Sequence, residues 1–180
     1  IVGDISSIKI NNKMQAEHSN IFIVGDATGK NFLAHTAMHE GIVASSTAMG
    51  FNKEINYNNI PITVFSLPEI AQIGKTEDIL LKENIPYKVG RFPYVALGKA
   101  HTIMEEEGFA KIISCKESEE ILGAVIIGAE ATNLIGEMIP ILGLKLKTSD
   151  MTDLIHPHPT MTELISETIL DIDGKAIHKI

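Results

Sequence analysis

Two histidine–proline dipeptides in succession, His156-Pro157 and His158-Pro159, run directly into Thr160-Met161-Thr162-Glu163. No other stretch restricts the backbone of this chain so tightly. Proline fixes its own φ and pushes the residue before it out of the helical region. Both imidazoles are therefore carried on stiff, extended backbone. Thr160 and Glu163 have the spacing of a capping box, in which the hydroxyl takes the amide three residues on and the carboxylate reaches back to the cap. This predicts a helix from Thr160 to about Ile172, with His158 just outside its mouth and Glu163 one turn inside. A carboxylate so placed can orient an imidazole and favour its charged form. Taken alone, the pattern also fits a plain helix cap beside a loop histidine.

The 180 residues suffice for one domain with a core, or for one domain and a piece of another. A net charge of -8 argues against nucleic acid or an anionic membrane as partner. No apolar run reaches the length that spans a bilayer. The opening Ile1-Val2-Gly3-Asp4 lacks the basic and apolar regions of a signal peptide and lacks an initiator Met. The chain therefore reads as a fragment or a processed product. Its one cysteine, Cys115, excludes an intrachain disulfide and suits a reducing cytoplasm.

Along the chain, Lys9 to Lys13 reads as a turn between short strands. Ile21 to Val24, ending in Gly25-Asp26, reads as a buried strand that turns sharply. Leu33 to Gly50 predicts a helix whose many small residues imply close packing. Asp26 can serve simply to tie down a turn. The asparagine-rich segment Phe51 to Asn59 is a linker, after which the pattern changes to strands. Ile60–Phe65, Pro68–Gly74, Tyr87–Phe92, Gly108–Cys115 and Ile121–Gly128 are extended, and the last two form a hairpin around Lys116–Glu120. Thr76 caps a short helix. Ala131 to Leu146 is a helix with Pro140 inside it, and Met151 to Ile155 a short helix delivering the chain to the histidines. Strands followed by helices indicate an α+β fold with a largely antiparallel sheet and flanking helices. Cys115 reads as a small core residue, and His18, His101 and His178 as exposed polar ones. His35 and His39 are one turn apart but lack a third metal ligand, so no metal site is expected.

The string His156-x-His158-Pro159-Thr160-x-x-Glu163 resembles the signature ending of the dihydrolipoamide dehydrogenase branch of the flavin disulfide reductases, the class I pyridine nucleotide-disulfide oxidoreductases. Glutathione reductase-like members share the later part but usually lack the first histidine. Mercuric reductase-like members are a further alternative, against which the presence of His158 and the lack of C-terminal cysteines argue. Gly25-Asp26 and Leu33-Ala34-His35 resemble the family's second flavin motif, although Lys30-Asn31 and Met38-His39 depart from common members. The order of strands and helices from about residue 60, with Pro68-Glu69 and Gly74-Lys75-Thr76-Glu77, resembles the family's dimerisation domain.

The resemblance implies several things. Residues 1–58 would be the C-terminal remnant of an FAD-binding domain, and 59–180 the dimerisation domain. Asp26 would bond the ribityl chain of FAD, with Leu33 and Ala34 opening the helix that points at the flavin. His158 would be the catalytic base and Glu163 its orienting partner, in a homodimer where each histidine completes the other subunit's site. The peptide bond between His158 and Pro159 would be cis. NAD and a lipoyl-bearing protein would be the further cofactor and partner, and the setting cytoplasmic. The sequence has no Gly-x-Gly-x-x-Gly, no paired-cysteine motif and no nicotinamide domain. This chain alone is therefore expected to bind FAD weakly or not at all and to lack turnover. A non-catalytic dimerisation module is the alternative from another class.

Overall fold

From Ile121 to Gly128 the apolar residues run almost unbroken, a pattern that needs cover on both faces and hence a central place in a sheet. In the computed structural model, which describes residues 9–17 and 20–179, β5 (Ile121–Gly128) is indeed the middle strand. The sheet order is β1 (Ile62–Val64), β2 (Ile70–Gly74), β5, β4 (Gly108–Cys115), β3 (Tyr87–Pro93). Every neighbouring pair is antiparallel. Alternation along β2 sends Ala71 and Ile73 into the core. The β4–β5 turn falls where the polar run Lys116–Glu120 places it, with Glu119 at φ 64.

The chain divides into two compact units, residues 1–57 and 58–180. In the second unit, α2 (Glu77–Lys82) begins at Thr76, whose hydroxyl accepts the Ile79 amide at 3.4 Å. A short α3 (Gly98–Ile103) follows β3. Helix α4 (Ala131–Gly143) packs on β5 and β2 through Leu134, Ile135, Met138, Ile141 and Leu142. It runs without interruption past Pro140. Its first turn is held by Glu69, whose Oε2 accepts the Thr132 amide at 3.0 Å and the Thr132 hydroxyl at 2.7 Å. Helix α6 (Glu163–Asp171) packs on β3 and β4, burying Leu164, Ile165, Thr168 and Ile169. It sits so close that a Cβ on Gly90 of β3 would lie 2.0 Å from the Thr168 carbonyl oxygen. Glycine is what lets this helix rest directly on the strand.

Two elements differ from expectation here. The short helix before the histidines is α5, Thr148–Met151, rather than Met151–Ile155. Its start is set by the Lys147 amide, which donates to Asp150 Oδ2 at 2.8 Å. The last helix begins at Glu163, not Thr160.

In the first unit, Ile21–Val24 does not form the expected buried strand. Phe22 makes a single bridge to Gln15, and Ile21 and Val24 are exposed. Its pairing is short: the Ala16 amide donates to the Ile21 carbonyl and the Ile23 amide to the Met14 carbonyl, both at 3.0 Å, and no longer ladder forms among the described residues. Helix α1 (Ala34–Ala48) forms as predicted, and its packing is one-sided, with Thr36, Glu40, Val43 and Ala44 buried. A Cβ added to Gly41 would meet nothing within 4 Å, and Met38 and Ile42 are exposed.

Candidate functional site

The cis peptide bonds are Leu67-Pro68 and His158-Pro159. Beyond the second, His158 Nδ1 lies 2.9 Å from Glu163 Oε1. A neutral imidazole carries one proton, so this bond places it on Nδ1 and leaves Nε2 as the acceptor nitrogen. Among the described residues Nε2 has no hydrogen-bond partner. The ring side chain is 69% exposed, while that of Glu163 is mostly covered. The second carboxylate oxygen, Oε2, accepts the Thr160 amide at 2.9 Å. Glu163 thus reaches back as a capping box requires, but the Thr160 hydroxyl does not take the reciprocal amide. It donates instead to the Pro157 carbonyl at 2.7 Å, because the helix starts one turn later than Thr160 would set it. Burial by itself raises the Glu163 carboxyl. The Thr160 amide, the His158 bond and the charges of His158 and His178 outweigh it and hold Glu163 below the usual carboxylate range.

This pair opens onto a groove of about 200 Å³ whose apolar floor includes Phe92 and Leu97. His101 and His178, read from sequence as merely exposed, also line it and are both paired. His101 Nε2 lies 2.7 Å from the Val95 carbonyl and Nδ1 lies 3.0 Å from Glu106. Both neighbours are acceptors, an arrangement that favours a proton on each ring nitrogen. The Glu106 bond first, then the Val95 carbonyl, raise its pKa. His178 Nδ1 lies 2.8 Å from Glu167 Oε1. Sequence reasoning missed Glu167 and His178 as a pair. The four-residue step from Glu163 to Glu167 was the available signal, since it puts both on one face of a helix.

The other histidines divide. His156 Nε2 lies 2.8 Å from Glu137 Oε1 on α4, and its Nδ1 is buried without a hydrogen-bond partner. It fastens the proline-rich segment to α4. No group of three possible metal ligands occurs among the described residues. His18 lies outside the described residues. Cys115 is half-buried at the end of β4 rather than in the core. The Ser118 hydroxyl, then the Ser118 and Glu117 backbone, hold its thiol below the usual range.

In the first unit, Gly25 (φ 69) opens a 3-10 turn, Gly25–Thr28, that carries Asp26 on the surface. The turn is fixed from α1. Glu40, fully buried, accepts the Gly25 amide at 2.6 Å on one oxygen and the Tyr57 hydroxyl at 2.7 Å on the other. Burial and then the Glu40 contact push the Tyr57 phenol far up. Leu33 is the N-cap residue of α1 and Ala34 its first helical residue. The opening amides of a helix need partners from outside it, so this start is suited to an electron-rich group.

The profile of the pyridine nucleotide-disulphide oxidoreductase dimerisation domain matches residues 60–169. The chain belongs to this family. Dihydrolipoyl dehydrogenase of Chlamydia muridarum is 40% identical over 163 residues, 91% of this chain and 35% of that protein. Dihydrolipoyl dehydrogenase of Bacillus subtilis is 38% identical over 179 residues, 99% of this chain and 38% of that protein. The chain thus spans little more than a third of these curated relatives. Among solved structures, LpdA of Mycobacterium tuberculosis superposes with a TM-score of 0.86 at 21% identity, over 94% of this chain and 37% of that one. The flavoprotein disulfide reductase RclA of Escherichia coli gives 0.79 at 20%, over 89% and 38%. At such identity the likeness is one of fold. It agrees with the antiparallel α+β architecture expected of a member of this oxidoreductase family. No helix among the described residues is long and apolar enough to cross a membrane.

Proposed function

We propose that this chain is the C-terminal portion of a flavin-dependent dihydrolipoamide dehydrogenase, which oxidises dihydrolipoamide with NAD through FAD and a redox disulfide. Relatives bearing that name, aligned over more than nine-tenths of the chain, support the reading. The observation that carries it is the exposed His158 ring with Nδ1 on Glu163 and, among the described residues, no partner on Nε2. A thiol must lose its proton to attack sulfur. His158 Nε2 accepts that proton, and the resulting imidazolium stands beside the thiolate until the proton is returned. Glu163 fixes the tautomer and steadies the charged ring. The capping bond from Thr160 and the tie from His156 to Glu137 hold the segment in place while this happens.

The His158 ring serves the partner subunit in a homodimer, in keeping with the dimerisation-domain match. The residues of the first unit fit a flavin: Asp26 is exposed and would accept from a ribityl hydroxyl, and the helix opened by Leu33 and Ala34 would offer its first amides. The bound flavin supplies two-electron transfer between dithiol and nicotinamide. Residues 1–58 are then the remnant of the FAD domain and 59–180 the dimerisation domain. The partner is a lipoyl-bearing protein, and the setting is cytoplasmic.

The test is lipoamide reduction by NADH with the full-length protein. The His158→Gln enzyme is expected to lose about 10²–10⁴-fold in turnover, the usual contribution of a positioned general base. Unchanged turnover would remove His158 from the chemistry. A full-length protein with no lipoamide turnover at all would favour a non-catalytic dimerisation module.

A further inference from the structure

The glycines of the second unit divide by what a side chain would meet. At Gly74, Gly90, Gly108, Gly123 and Gly128 an added Cβ would lie 2.5 Å or less from another atom, so close packing demands glycine there. Gly98, the first residue of α3, is under no such demand. Its φ lies outside the left-handed region. Beyond its chain neighbours and its own helix, a Cβ there would meet one atom within 4 Å: Cε1 of His158, at 3.9 Å, an ordinary contact. Glycine in a helix is disfavoured relative to alanine. The fold therefore gains nothing from glycine at this position. What the missing side chain leaves is space beside the imidazole.

That space belongs to the groove in front of His158, which Gly98 lines. Cε1 is bonded to both ring nitrogens, and Nδ1 is engaged by Glu163. A group growing from position 98 towards Cε1 therefore crowds the flank of Nε2, the nitrogen that takes the proton. The wall that carries Gly98 is braced. The Tyr94 hydroxyl donates to the Ala129 carbonyl at 2.8 Å, and the Leu97 amide donates to the Tyr94 carbonyl, also at 2.8 Å. His101 Nε2, within α3, lies 2.7 Å from the Val95 carbonyl. Leu97 and Ala100, on either side of the open position, are buried in the core. A fixed wall with one gap admits a narrow group and meets a broad one with a clash.

We propose that Gly98 is a specificity-determining residue: by carrying no side chain it sets the clearance at the edge of the His158 ring, through which a thiol on a slender, unbranched arm reaches Nε2. Phe92 and Leu97 give such an arm an apolar floor. The proposal rests on the proton-handling role given to His158 above, and deepens it by naming what limits the width of the group that reaches the ring.

The test is a graded series, Gly98→Ala, Gly98→Val and Gly98→Leu, in the full-length protein. Two quantities are read. One is the rate at which diethyl pyrocarbonate acylates His158, followed by mass spectrometry of its peptide. The other is kcat/KM for dihydrolipoamide, with its pH profile. Alanine adds a single carbon in ordinary contact, so both quantities stay near wild type and the protein melts no lower. Valine and leucine slow the acylation. They also lower kcat/KM about 10–200-fold, the range for a methylene-sized change in an apolar pocket. The loss appears in KM, and the pH profile does not move, because Glu163 still holds Nδ1. Wild-type acylation and kcat/KM in the valine and leucine variants overturn the proposal. A fall in kcat/KM with unchanged acylation, or with a displaced pH profile, also overturns it, since the ring has then been moved rather than screened. If leucine prevents folding, valine decides. A lower melting temperature in Gly98→Ala, or loss of folding in both larger variants, shows that the fold itself needs glycine and sinks the proposal. The acylation rates require no turnover. The reading of His158 as base is decided separately, by turnover of the full-length His158→Gln enzyme.

Discussion

The two units of this chain cover their apolar side chains to different extents. In residues 58–180, Phe92, Tyr94, Ile112, Ile126, Ile135 and Leu164 are all buried between one sheet and the helices α4 and α6. In residues 1–57, Phe32, Met38 and Met49 are each at least 70% exposed. Helix α1 has the small-residue composition of a tightly packed element but is packed on one side only. Apolar surface left outward in this way is the mark of a face made for another surface. The comparison separates two meanings of a hydrophobic pattern. In the second unit it describes a continuous core between sheet and helices; in the first much of it stays on the surface.

The largest effect should expose that contrast directly. Leu164→Ala removes a fully buried side chain and is expected to destabilise the second unit by about 2–5 kcal/mol. Ile42→Ala on α1 removes a half-exposed one and should stay within about 0.5 kcal/mol. Urea unfolding followed by hydrogen exchange in β4 and β5, and separately in α1, measures both. Equal costs would erase the distinction between the units.

A smaller effect probes how the second unit is closed. Gly90→Ala puts a methyl group against the Thr168 carbonyl and is expected to cost about 1–3 kcal/mol by overpacking. A neutral result in the same denaturation would show that α6 can lift from β3 freely.

The smallest effect is in the acid limb of stability. Three carboxyls of the second unit lie below their ordinary range. The Lys111 bond does this to Glu77 and the Lys88 bond to Asp173, while Glu163 is lowered against its own burial by Thr160 and His158. A depressed folded pKa contributes stability that is fully present above the ordinary carboxylate value. That stability is lost as pH falls through the folded value. The second unit should therefore weaken below about pH 4, and Glu163→Gln should flatten the slope. A slope identical to wild type would deny Glu163 any share.

What the sequence made legible follows the range of the interactions involved. The β4–β5 hairpin, the Thr76 cap and the stripe on α4 rest on neighbours within a few residues, and they were readable. The bond from His158 to Glu163 spans five residues and was readable too. The partners of His101 and His178 were not. The Val95 carbonyl that engages His101 depends on the turn after β3, and the Glu167 bond depends on the tail reversing at Gly174. The tie of His156 to Glu137 crosses from the loop to α4 and needs the sheet beneath both. Ile21–Val24 failed for the opposite reason. Its local pattern was that of a strand, but a strand is completed by a neighbour that local pattern does not supply. The Thr160 hydroxyl was misread because proline offered it a nearer acceptor, the Pro157 carbonyl.

Gly90 has one more implication. With no side chain on Gly90, the approach of α6 to β3 at this one crossing is limited by main-chain atoms, which vary far less than rotamers do. Surface residues of α6 can then drift through evolution without moving the point from which His158 is held. Accuracy at the imidazole is inherited from the sheet rather than maintained residue by residue.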